Sequence, residues 1–427
     1  MAPRSDLGLR FHAARDLLLA EAHARPSSPL AAPALASRIA TLSGEAGVEA
    51  DRAHMAQLCR RLGAPEPGPQ ARWCALDAGT WRLRWERHTE VSTWSFYRAA
   101  EGVAVARFAE TALELAPQDW LAGLPGEVLA AVHIAIASTS GARDGVMAED
   151  AVGAVVGGDA AHLMTDFRAG PDGFTRILLI EQHADPALTG RIVQQAFEIE
   201  TYRLLALLAF PLAGEAARAL TTLEIEAEAA ALQVREEGGV DADRALLARL
   251  AGLAAQAQAL SARTRYRFAA ARAYYGLVLE RIEQLRESRL EARPTIREFM
   301  ERRLAPAMRT CAAVADREAG VTAHIARTSQ LLNTRVEVAA EVTNANLLRS
   351  MNDRAALQVR LQETVEGLSV VAITYYAVGL LGSLFKALEY VDSDFNAVVL
   401  TGWSAPVVLA LAYWLLRQVK AGIQPKM

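Results

Sequence analysis

The sequence predicts an α+β protein. A mixed α/β domain spans residues 1–190, a long-helix stalk 191–366, and a two-helix transmembrane hairpin 367–427 with a short basic tail. Three observations predict this. Two long uncharged apolar runs lie within the last sixty or so residues. The middle of the chain is dominated by Ala, Leu, Glu, Arg and Gln, the strong helix formers. Residues 70–184 instead hold short strand-like runs, alternating at period two at 81–85 and less perfectly at 91–96, between Gly- and Pro-containing turns.

The hairpin comes first because its signal is strongest. Residues 368–385 read LSVVAITYYAVGLLGSLF and residues 397–416 read AVVLTGWSAPVVLALAYWLL. At about 1.5 Å per residue, each covers most of a roughly 30 Å hydrocarbon core. Each run holds nine Leu, Ile, Val or Phe residues. At about −0.3 to −0.6 kcal/mol apiece, they favour insertion by roughly 3–5 kcal/mol before polar corrections. The connecting segment 386–396 carries Glu389, Asp392 and Asp394 against Lys386. Arg349, Arg354 and Arg360 precede the hairpin, and Arg417, Lys420 and Lys426 follow it. The positive-inside rule therefore places the acidic loop outside and both termini in the cytoplasm. The apolar stretch 204–213 is too short to span and is expected to be a buried helix.

Within the first of these runs one pattern is more specific. Leu361, Val365, Leu368, Ala372, Tyr375, Gly379, Gly382 and Lys386 recur at alternating steps of four and three. This heptad seam predicts a subunit interface or pore lining. Val370, Ile373, Ala377, Leu381 and Leu384 form the opposite face and suit lipid.

In the stalk, one helix is expected from about Ala187 to Val234, bent at Pro211, which cannot donate a backbone hydrogen bond. Gly238 and Gly239 end it, and Asp241 is a candidate N-cap for the next, which continues through Tyr266, Tyr274 and Ile282. Pro294 and Pro306 mark kinks or breaks. A final helix runs through Val321, Ile325, Leu332 and Val336 and enters the membrane without interruption.

In the α/β domain, strands are expected at 81–85, 91–96, 128–137, 152–156 and 174–180. The Gly170-Pro171-Asp172-Gly173 turn makes 163–167 and 174–180 a hairpin. Residues 1–69 are expected to be helical with Pro-rich breaks, and 64–70 to form a linker. The N-terminus lacks the apolar core of a secretory signal.

Composition narrows the function classes. The chain has 427 residues, 52% of them hydrophobic, and a net charge of −4, which gives no electrostatic support to nucleic-acid binding. Cys59, Cys74 and Cys311 are scattered and match no metal or disulfide framework. No HExxH, GxSxG, P-loop or dinucleotide-binding glycine motif is present, so neither an enzyme nor a cofactor is expected. On a strand, Glu86, His88 and Glu90 would share one face, as a metal or proton site or as a solvated polar row. His23 and Arg25 suit either an anion or a helix C-terminus. Arg263, Arg265, Arg267 and Arg272, among Tyr266, Phe268, Tyr274 and Tyr275, read as a packed aromatic stripe flanked by solvated arginines rather than a nucleic-acid patch.

Several segments carry a family resemblance. They are AEAHARP (20–26), RWERHTEVSTWSFY (84–97), LMTDFRAGPDGFTRILLI (163–180), IETYRLLALLAFPLA (199–213), RTRYRFAAARAYY (263–275), EFMERRLAPAMRTC (298–311) and LQETVEGLSVVAITYYAVGLLG (361–382). Across nearly the whole chain these resemble the bacterial membrane-anchored proteins grouped as domain of unknown function 3422. That resemblance implies an inner-membrane location and no assigned activity. A second resemblance, in architecture, is to CorA-type divalent-cation channels. Their Gly-Met-Asn signature is absent, because Gly382-Ser383-Leu384-Phe385-Lys386 stands in its place. The expected partners are therefore the lipid bilayer and further copies of the chain. The expected role is a homo-oligomeric scaffold or sensor; the alternative is a channel or transporter for a small ion such as a divalent cation.

Overall fold

The computed structural model describes residues 11–15, 27–44, 47–101, 108–138, 147, 151–236, 238–389 and 396–423. His23, Arg25, Asp392 and Asp394 lie outside these residues, as does most of the acidic loop. The chain divides into two compact units. One comprises Met1–Glu237 and Leu246–Ser329, the other Gly238–Ala245 and Gln330–Met427.

The first unit is built on a mixed sheet. Its strands are β1 (Ala34–Leu42), β2 (Trp73–Asp77), β3 (Arg82–Arg87), β4 (Val91–Ala99), β5 (Glu127–Ala137), β6 (Val152–Val156), β7 (Ala161–Ala169), β8 (Thr175–Glu181) and β9 (Ser288–Arg289). Their order is β2-β3-β4-β1-β5-β8-β7-β6-β9. Only the β5–β8 pair is parallel, with Ile134 opposite Ile177. The expected strands all form, and the 163–167/174–180 hairpin pairs Leu163 with Leu179 and Thr165 with Ile177.

Two strands correct the sequence reading. Residues 1–69 were expected to be helical, yet Ala34–Leu42 is a central strand, flanked by β4 and β5. Leu35 and Ile39 enter the main core on one face. Ala36, Arg38 and Ala40 take the other, beneath α3 (Pro186–Leu207), which packs on β1 and β5. Small side chains let that helix approach closely, so tertiary packing overrides the helix propensity of alanine. Strand β2 was not among the expected strands; it alternates exposed and buried residues over its five positions.

The core lies on the other side of the sheet, under α1 (Val48–Leu62) and α2 (Gln118–Ala122). Met55, Leu58 and Cys59 of α1 meet Trp85, Trp94, Phe96 and Trp120. Trp85 and Trp94 stack with ring centroids 5.9 Å apart, and Trp120 meets Trp94 edge-on at 5.5 Å. Burying each large apolar side chain is worth about 1.5–3 kcal/mol. Gly126, at φ +83°, enters β5 where a Cβ would lie 2.5 Å from the Leu42 carbonyl oxygen, so no other residue fits without movement.

The expected helix through Pro211 forms as two, α3 and α4 (Ala209–Gln233), joined at Leu208. Proline leaves the carbonyl four residues back, that of Leu207, without its helical donor, so the break precedes the proline by a turn. Helix α5 (Gly239–Gln284) starts before Asp241, which sits in its first turn and accepts a hydrogen bond from Arg244 rather than capping the helix. Pro294 precedes α6 (Ile296–Arg303), which Thr295 and Glu298 close with a capping box. Pro306 sits in the first turn of α7 (Ala305–Glu389), where its missing N–H costs nothing. Helix α7 runs unbroken to Glu389, as expected, with Val321, Ile325 and Leu332 buried. Because α3 lies on the sheet, the helices over 191–236 and 246–329 belong with the α/β unit, whereas the sequence suggested a boundary near 190.

In the second unit, Asp243 pairs with Arg335, and α8 (Ala397–Ile423) follows α7. Among the described residues three helical stretches are long and apolar enough to cross a membrane: Pro186–Gln233, Ile296–Glu389 and Ala397–Gln418. A third of the most apolar window of the first is buried inside the protein, against none of the second.

Candidate functional site

The expected row of Glu86, His88 and Glu90 does not form. Strand β3 ends at Arg87, so only Glu86 lies on it, and the other two occupy the β3–β4 turn. Among the described residues no group of three or more His, Cys, Asp or Glu side chains is arranged to hold a metal. Each of the two carboxylates already has cationic partners. Arg84 Nη2 donates to Glu86 at 2.8 Å, and Arg38 Nη2 lies 3.9 Å away. Arg38 also donates through Nε to Ser95 at 2.8 Å and stacks over Phe197 of α3 at 4.7 Å. All three charged side chains are buried, and pairing offsets the cost of their desolvation.

The turn does gather residues singled out in two distant segments. Glu90 accepts from Arg267 and, at 3.3 Å, from the Tyr274 hydroxyl. Tyr274 stacks on Tyr202 at 5.8 Å, and Tyr202 meets the His88 ring edge-on at 6.5 Å. Arg267 and Tyr274 are seven residues apart, hence on one face of α5. Burial raises the Tyr274 hydroxyl well above its ordinary range, and the adjacent Glu90 charge adds to this. Phe268 is in the core, and Arg263 pairs with Glu215 of α4 at 2.6 Å. The expected packed stripe forms only in part: Phe268 and Tyr274 turn inward, but Tyr266 is 58% exposed, and Arg263 and Arg267 are ion-paired rather than solvated.

Two buried centres escaped the sequence reading. On the core side, Asp51 Oδ2 accepts from Ser92 at 2.5 Å, Ser43 at 2.7 Å and Arg87 Nη1 at 3.2 Å. Arg87 also donates to the Ser43 hydroxyl and the Gly44 carbonyl, both at 2.5 Å. Farther along the sheet, His133 Nδ1 and the Ser37 hydroxyl lie 2.7 Å apart, and Phe174 stacks on the ring at 4.0 Å. Burial pushes the His133 pKa down to about 4, which keeps the ring neutral near pH 7. Asp172 opposes this shift, while Arg176 adds to it.

In the second unit, Leu361, Val365, Leu368, Ala372, Tyr375, Gly379 and Lys386 of the seam are exposed. Tyr375 is 76% exposed. Gly382 is half-buried, and a Cβ there would come 3.1 Å from Thr401 of α8. A cavity of about 930 Å³ opens between the two helices, lined by Tyr375, Tyr376, Ser383, Lys386 and Thr401 among others. Of the face expected to suit lipid, Ile373 and Leu384 are exposed, but Val370, Ala377 and Leu381 are half-buried. The two faces of this helix are therefore not cleanly divided between seam and lipid.

Comparison with known proteins gives one match. A family model described as "Protein of unknown function (DUF3422)" covers residues 10–423. No curated protein matches. No solved structure matches.

Proposed function

The chain belongs to the DUF3422 family, and we propose that it is a membrane-anchored homo-oligomer whose cytoplasmic body works as a scaffold or sensor. In this reading α7 and α8 supply a two-helix hairpin in the bacterial inner membrane. Both termini are cytoplasmic, and the architecture is CorA-like.

The observation that carries the reading is the bare apolar surface of the second unit. Leu331, Leu348, Met351 and Leu357 are each 66–68% exposed, well before the uncharged run begins. Large apolar side chains left bare on several sides of one helix suit burial against neighbouring helices. From Leu368 onward, lipid can cover it. Over 331–361 the helix carries charged side chains as well, so further copies of the same helix are the better cover. The seam continues this surface into the hairpin, where Ala372 and Gly379 permit close helix approach.

A second reading, passage of a small ion, is supported by the cavity that contains Tyr375, Ser383 and Lys386. A lysine near an apolar segment is expensive unless it reaches water or lines a hydrated path. Proteoliposome flux separates the two readings. Oligomeric protein with no flux under divalent, monovalent or anion gradients supports the scaffold or sensor. Gradient-dependent flux abolished by Lys386→Met supports the channel. A monomer that carbonate washing strips from membranes contradicts both.

A further inference from the structure

We propose that the cleft between the first turn of α1 and the β2–β3 strands is a binding site for a phosphate monoester carried by a larger molecule. The site lies wholly in the first unit, and the proposal does not depend on the membrane reading. The cleft has a volume of about 540 Å³ and is lined by Val48, Glu49, Arg52, Arg72, Arg87 and His88 among others.

Four features converge on an oxyanion. Arg72 is exposed, and its side chain makes no hydrogen bond or ion pair among the described residues. Its backbone is nonetheless anchored, because its carbonyl accepts the Arg87 N–H at 2.7 Å. Arg87 is 1% exposed. Its two terminal nitrogens serve Asp51, Ser43 and Gly44, but among the described residues Nε has no partner. Arg52 braces the rim, donating through Nε to the Ala71 carbonyl at 3.3 Å and pairing with Glu49 at 2.9 Å.

The fourth feature is the helix itself. Gly47 is the N-cap of α1 and makes no side-chain cap, and Val48 and Glu49 of the first turn line the cleft. The partial positive charge of a helix N-terminus adds to that of the arginines. Arg52, Arg72 and Arg87 outweigh Glu49 and the Asp51 behind them. A net positive cleft with fork-shaped donors and backbone N–H groups suits a phosphate better than a single carboxylate. The volume leaves room for the organic part of the ligand beside Val48 and Pro69.

The test uses the full chain in detergent, titrated calorimetrically with adenosine monophosphate and with inorganic phosphate. Arg72→Glu reverses the free cation, Arg72→Ala removes it, and Arg218→Glu, on the exposed surface of α4, is the control. Saturable binding is expected in the wild type and in Arg218→Glu. It should weaken at least about tenfold in both Arg72 variants at an unchanged melting temperature, since a charge-assisted hydrogen bond is lost. Phosphatidic-acid vesicles, against phosphatidylcholine vesicles, form a second arm. Arg72-dependent binding of the vesicles alone identifies a lipid headgroup as the source of the phosphate, and of the nucleotide alone a soluble metabolite. Equal binding by wild type and Arg72→Glu in both arms, or no saturable binding in either, overturns the proposal.

Discussion

Replacing Asp51 by alanine should destabilise the α/β unit severely. Asp51 is fully buried on α1, and its Oδ2 is the shared acceptor for Arg87, Ser92 and Ser43. The substitution leaves the Arg87 guanidinium, itself 1% exposed, without its counter-charge. Stranding one partner of a buried ion pair costs about 3–5 kcal/mol. The better helix propensity of alanine returns only about 0.5 kcal/mol. The net loss should therefore be about 3–4 kcal/mol, which lowers the melting temperature by roughly 4–6 °C for a unit of this size. Thermal unfolding followed by the near-ultraviolet signal of Trp85 and Trp94, which stack directly beside this centre, is the appropriate assay. The double variant Asp51→Ala/Arg87→Met should recover much of the loss, because no charge then remains buried. A single variant within about 1 kcal/mol of wild type, or a double variant no better than the single, would refute the reasoning.

His133 makes stability depend on pH. Its folded pKa of about 4 lies below its unfolded value of 6.5, so the unfolded chain binds the extra proton between them. Its contribution is complete above pH 6.5 and disappears as pH falls towards 4, on the order of 3 kcal/mol in all; His133→Gln should flatten the denaturation midpoint across that window. Gly126→Ala should cost more than about 1 kcal/mol in chemical denaturation, since both φ and the Leu42 carbonyl oppose a Cβ, and a neutral result would contradict the close approach. Gly379→Leu should disrupt the oligomer measured by native mass, whereas Leu384→Ala should not; the opposite outcome would put the interface on the other face.

Strands β3 and β4 were legible through their alternation, and β5, β6 and β8 as short apolar runs bounded by turns. The hairpin of β7 and β8 was legible through Gly170-Pro171-Asp172-Gly173. Strand β1 was not, since three alanines in ALASRIATL imitate a helix, and only the overlying α3 explains why they are small. The hairpin signal at the C-terminal end needed nothing beyond length and absence of charge. The buried charges were illegible for a different reason. Asp51 and Arg87 are 36 residues apart, and Arg267 lies 177 residues from Glu90. Periodicity reports which side of an element a residue occupies, not which distant residue faces it. Glu86, His88 and Glu90 would share a face only on a strand, and β3 stops at Arg87.

The membrane orientation is the central claim, and cysteine labelling in intact cells tests it most directly. The native thiols Cys59, Cys74 and Cys311 are all buried, so they contribute little background. Ser393→Cys lies in the loop between the two apolar runs, and Gln424→Cys in the basic tail. The account predicts that a membrane-impermeant thiol reagent modifies the first in intact cells and the second only after lysis. Labelling of the second alone in intact cells would invert the topology, and intact-cell protection of both, with labelling of both after lysis, would contradict a hairpin that crosses the membrane.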